Sequence, residues 1–159
     1  MGGIAAISYI HGSVMIRVTK KPNLKLNLPD SRFWRGVGVD GAKTIRKRTE
    51  RGIGLKDGGR RGDSKRMFKP YSPGYAKYRK EHGRRTKPNL VFTGRMLGAI
   101  GRGVSVIKNG TRITLSGRQG AKAWFNEKIG RKFFDVTKKE ADSIMKRVDK
   151  WMSRGNKLK

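Results

Sequence analysis

The 159-residue chain contains no cysteine, so a disulfide framework and any thiolate-based metal or catalytic site are excluded. Acid is scarce: eleven Asp and Glu stand against forty Lys and Arg, a formal net charge of +29. Only two histidines occur, His11 in an apolar N-terminal stretch and His82 inside a basic run, which argues against a histidine-centred metal or proton-transfer site. The few carboxylates are scattered and mostly adjoin a cation, as in Lys56-Asp57 and Asp149-Lys150, a pattern of local ion pairing rather than acid–base chemistry. No apolar run approaches the roughly 20 residues of a membrane span. The opening MGGIAAISYIHGSVMI has no positive n-region and is interrupted by Ser8, Tyr9, His11 and Ser13, so it does not read as a signal peptide. Gly2 is followed by Ala6 where an N-myristoylation signal needs Ser or Thr. The glycines at 52, 54, 58, 59 and 62 match neither GxxxxGK[ST] nor a strand-GxGxxG-helix spacing. These absences predict a soluble, unexported, non-enzymatic protein with no cofactor, no metal and no membrane partner.

What the chain has in excess is localised positive charge. Between Lys43 and Arg95 lie eighteen basic and four acidic residues, a surplus of fourteen and so about half the net charge in a third of the length. A monomer this basic repels itself and is stabilised by a polyanion, with nucleic acid the default partner; the alternative is a surface that is merely solvated. Arg60, Arg61, Lys65, Arg66, Arg84, Arg85 and Lys87 are the candidate phosphate contacts. Such contacts require proximity rather than base-specific geometry, which predicts steep salt dependence and no sequence preference. Phe68, Tyr71, Tyr75 and Tyr78 are interleaved with them, either as platforms for unpaired bases or as anchors pinning the segment to the body.

Patterning predicts one α+β domain over 31–155, preceded by an arm or strands over 1–30 and followed by a basic tail over 156–159. Val14, Ile16 and Val18, then Leu24, Leu26 and Leu28, alternate with period two around Lys21-Pro22-Asn23. Asp30 or Ser31 is placed to cap a helix carrying Phe33, Trp34, Val37, Ala42 and Ile45. Residues 52–74 read as a long basic loop, and Pro73 to Glu81 as a short helix with Pro at its first position. Thr93 is the expected cap of a helix burying Met96, Leu97 and Ile100. A hairpin over 103–116 follows, turning at Asn109-Gly110 in type I′ geometry and pairing Val106 with Ile113. A helix over 118–129 is expected to present Ala121, Trp124, Phe125 and Ile129 on one face. Phe133, Phe134 and Val136 form a strand-like link, and Thr137 with Glu140 makes a capping box for a last helix striped by Ala141, Ile144, Met145, Val148, Trp151 and Met152. The fold expected is a small antiparallel sheet, including the hairpin, packed against three to four amphipathic helices.

In order along the chain, KTIRKRTERGIGLKDGG from Lys43, FKPYSPGYAKYRK from Phe68, LVFTGRMLGAI from Leu90, the hairpin, and RKFFDVTKKEADSI from Arg131 form a pattern that resembles the tail-completion or virion-morphogenesis proteins of tailed bacteriophages. The resemblance covers roughly two thirds of the chain. The stretch 58–66 is longer and more basic than the pattern, and the first 30 residues have no counterpart in it. The resemblance implies a structural virion protein, made in the host cytoplasm, that assembles with copies of itself as a hexameric or dodecameric ring in the neck. Its implied neighbours are portal-side connector proteins, tail proteins and genomic DNA. The rival reading, which the charge alone fits equally well, is a stand-alone RNA- or DNA-binding protein of the ribosomal kind.

Overall fold

The computed structural model describes residues 4–10, 13–19, 29–56, 65–91 and 93–155. The fold is α+β. Strands β1 (Ile4–Ile10), β2 (Ser13–Thr19), β5 (Val104–Ile107) and β6 (Gly110–Thr114) form an antiparallel sheet in the order β1-β2-β6-β5. A second, two-stranded sheet pairs β3 (Ile53–Leu55) with β4 (Lys65–Met67). Helices α1 (Ser31–Glu50), α2 (Pro73–Glu81), α3 (Arg95–Arg102), α4 (Gly117–Lys128) and α5 (Lys138–Gly155) complete the chain. Residues 52–74 are not one loop, because β3 and β4 lie within them. The strand expected at Val14, Ile16 and Val18 is β2, hydrogen-bonded to β6 of the body, and a further strand, β1, precedes it from Ile4; the expected alternation at Leu24 to Leu28 lies outside the described residues.

Helix α1 organises the core. The Asp30 carboxylate accepts the Phe33 N–H at 2.8 Å, capping the first turn, and Trp34, Val37, Ala42 and Ile45 recur at helical spacing and are buried. They meet Leu97 and Ile100 of α3, Val14 and Ile113 of the sheet, Phe133 and Phe134, and Ile144 and Val148 of α5. Gly38 is part of this contact. A Cβ there would collide with Thr111 and Val104, so the glycine costs the helix propensity but lets it lie close on the β5–β6 hairpin. Gly38→Ala should destabilise the fold by about 1–3 kcal/mol, the range of overpacked cores, as read from the midpoint of denaturant unfolding.

The hairpin has a different register from the one expected. Val104 pairs with Ile113, Val106 with Thr111 and Ile107 with Gly110, and of the turn residues Asn109 alone takes a positive φ, 58°. The turn is thus centred on Lys108-Asn109, one residue earlier than Asn109-Gly110, and is not type I′. The pairing shifts by two residues, and because side chains alternate with period two the faces are unchanged. Thr93 is not the cap of α3. That position belongs to Gly94 at φ 74°, and the Thr93 hydroxyl only reaches the Arg95 N–H at 3.5 Å, the outer limit of a hydrogen bond. The capping box of α5 is present as expected: the Glu140 N–H donates to Thr137 Oγ1 at 3.2 Å, and the Thr137 N–H to Glu140 Oε2 at 2.9 Å.

Candidate nucleic-acid interface and an aromatic groove

The expected phosphate contacts fall into separate groups. Arg60 and Arg61 lie outside the described residues. Lys65 and Arg66 are exposed on β4, and the Lys65 ammonium is held 3.1 Å from Glu140 Oε1. Arg84, Arg85 and Lys87 are exposed together on the segment leaving α2, while the outward side of α2 adds exposed Lys77 and Lys80. From Arg66 to Lys87 the sole acidic residue is Glu81. The exit of α2 is therefore the most concentrated cationic surface among the described candidates.

Two arginines inside the basic segment are not surface charge at all. Arg48, 5% exposed, donates from Nη2 to the carbonyls of Phe133 and Asp135, each at 2.6 Å, and from Nη1 to Glu140 Oε2. It ties the end of α1 to the segment that enters α5. Burial pushes its pKa down, against the pull of Glu140 and Asp135 in the other direction. Burial by itself would raise Glu140, but the Thr137 N–H, Arg48 and Lys65 together outweigh it and hold the carboxyl below the ordinary glutamate value. Arg79, 1% exposed, is the one buried side chain of α2. Its Nε donates to Arg85 O at 2.8 Å, and its Nη2 to Val91 O at 2.8 Å and Asn89 Oδ1 at 3.3 Å. Neither arginine is distinguishable from its exposed neighbours by sequence, except that Arg48 continues the i, i+3 spacing of the buried face from Ile45.

Around Arg79 the aromatics make contacts within the chain. Phe68 is buried and anchors the chain after β4. Tyr71 lies under two guanidiniums, with Arg79 at 4.8 Å and Arg131 at 4.9 Å from its ring centre. Tyr75 and Tyr78 are stacked at 6.2 Å and half-exposed.

Helix α4 forms where the sequence places it and turns its apolar face outward. Ala123 is its buried residue, whereas Trp124 is 61% exposed, Phe125 57% and Ile129 39%. The apolar stripe exists but is turned away from the core. Part of it borders a groove of about 860 Å³, lined by Tyr71, Ser72, Tyr75 and Arg79 on the α2 side, by Leu90, Thr93, Gly94 and Met96, and by Arg118, Ala121, Lys122, Phe125, Asn126, Ile129 and Arg131 on the α4 side. Leu90 enters it from a left-handed conformation, φ 53°, which the Asn89 side chain supports by accepting the Val91 N–H at 3.0 Å. Among the described residues no group of three or more His, Asp or Glu is placed to hold a metal ion, and no helix is long and apolar enough to cross a membrane.

The fold and these surfaces define a strongly cationic α+β domain with an exposed aromatic helix. Compared with protein-family models, with curated proteins and with solved structures, the chain gives no match.

Proposed function

We propose that the chain is a structural, non-enzymatic virion protein of a tailed phage, one subunit of a ring in the neck between the DNA-filled head and the tail. The carrying observation is the exposed cationic exit of α2, Arg84, Arg85 and Lys87 beside Lys77 and Lys80, which suits a surface lying near the DNA path. The resemblance of the ordered motifs to those of tail-completion proteins supplies the rest of the reading, and the α+β fold accords with it. Trp124, exposed with the Lys128 ammonium 5.3 Å from its ring centre, is the surface residue best suited to a subunit contact.

Size-exclusion chromatography with light scattering at high salt tests the assembly. A discrete ring is expected, while a monomer that becomes soluble only with RNA would favour the ribosomal-type reading. The DNA-facing role is tested separately by the triple variant Arg84→Glu, Arg85→Glu, Lys87→Glu. Its affinity for random-sequence duplex should fall, and the slope of log K against log salt should flatten by about 0.9 for each phosphate that is no longer neutralised. All three side chains are exposed, so the unfolding midpoint should change little. An unchanged salt slope would remove the α2 exit from the interface.

A further inference from the structure

We infer that the groove between α2 and α4 docks a peptide segment of a different protein, one carrying carboxylates and large apolar side chains together. This goes beyond the neck reading and does not depend on it.

The occupant's chemistry follows from the lining. Leu90, Met96, Phe125 and Ile129, with Tyr71 and Tyr75 opposite, give the groove an apolar lining, and the exposed Arg118 and Lys122 add positive charge to it, with no carboxylate among the described lining residues. An occupant must therefore supply apolar side chains for the lining and negative charge for its cations. Along α4 the lining runs from Arg118 to Ile129, about 16 Å at the helical rise, the length of about five extended residues or three helical turns. That is a peptide's dimension.

Nucleic acid fits this groove less well than the cationic exit of α2. Bases stack on free aromatic planes, but Tyr71 is flanked by the guanidiniums of Arg79 and Arg131, and Tyr75 meets Tyr71 edge-on at 5.0 Å and stacks on Tyr78. A second copy of this chain fits poorly too. Its eleven acidic residues are dispersed, with no two adjacent, and Asp40, Glu50 and Glu140 are already ion-paired to Arg147, Arg46 and Arg48. The groove is complementary in charge to something more acidic than this chain.

Three fluorescent probes on the full-length protein test this at about 0.3 M salt, where charges are screened beyond about 6 Å. The first is a dodecapeptide of Glu pairs alternating with Leu and Phe. The second has Ser in place of Leu and Phe, and the third is a dodecathymidylate. The first should bind at least about tenfold more tightly than the second, and its affinity should drop at least about tenfold in Phe125→Ser and in the double variant Arg118→Glu, Lys122→Glu, each about 1.4 kcal/mol. Phe125 is 57% exposed, so its replacement leaves the core intact; Ile129→Ser repeats the test should Phe125→Ser fail to fold. Equal binding of the first two peptides, or undiminished affinity in the Phe125 and Ile129 variants, overturns the proposal. So does competition by dodecathymidylate that vanishes in Phe125→Ser, which would make nucleic acid the occupant. Abolished self-association in Phe125→Ser, with peptide binding absent, would assign the groove to a second copy and equally overturn it.

Discussion

Arg48→Met should lower the unfolding free energy by about 3–5 kcal/mol, measured by urea denaturation, because it removes one partner of a buried ion pair and leaves the others in place. The guanidinium satisfies two carbonyls and the Glu140 carboxylate at once. Without it, the carbonyls of Phe133 and Asp135 lose their donor, and a carboxylate remains in a site from which much water is excluded. A single domain has about 5–15 kcal/mol in total, so the variant should be near the threshold of folding at room temperature. Arg48→Lys should recover little, since one ammonium on a flexible stem cannot address three acceptors set in a planar fork. A destabilisation below about 1 kcal/mol would mean that Phe133, Phe134 and Val136 hold this segment by apolar burial alone.

The same cluster makes stability depend on pH. The pKa of Glu140 is held below its ordinary value of 4.5 in the fold, so the carboxylate contributes stability that is complete above that value and is lost as pH falls through the lower, folded one. Glu127 works in the opposite sense: burial raises its pKa despite the Phe134 backbone contact, so its contribution is present at low pH and lost as pH rises through the raised value. The Glu140 effect is therefore read as a difference between the stability profiles of wild type and Glu140→Gln. The two profiles should converge as pH drops below about 4.5, and parallel profiles would show that the cluster does not titrate.

Elements with strong local chemistry were legible from sequence: Asp30 and the stripe on α1, Pro73 opening α2, and the reciprocal Thr137–Glu140 cap. Tertiary context decided the rest. The α4 stripe gives the same helical period whether it faces a core or a groove, so its period alone could not reveal that Trp124 and Phe125 are exposed. Gly38 lowers the helix propensity of α1, and only the packing of β5 and β6 against it shows why the space is needed. The short pairing of Ile53–Leu55 with Lys65–Met67 has too few residues to show alternation. Least legible were Arg48 and Arg79, since a buried arginine and an exposed one are the same letter within a basic run. Burial separates them only after the carbonyls they serve have been positioned by residues far along the chain.

Arg79→Ala should act on one part of the molecule rather than on the whole. Helix α2 buries no other side chain, and its connection to the following segment runs through the bonds from Arg79 to Arg85 O, Asn89 Oδ1 and Val91 O, with the Tyr71 ring alongside. Hydrogen bonds from a charged donor contribute about 1.5–3 kcal/mol each, and little apolar burial stands behind them here. Amide hydrogen exchange should therefore show protection in residues 73–81 falling about 30-fold or more, equivalent to about 2 kcal/mol, while the slowest amides of α1 and β6 change by less than about 0.5 kcal/mol. Arg79→Lys should resemble the alanine variant, because an ammonium cannot span the same acceptors and stack on Tyr71. The groove should weaken with the helix, since Tyr71 and Tyr75 form one of its sides. An equal fall in protection in α1 would mean that α2 unfolds only with the whole domain and that Arg79 holds the global fold rather than a local one.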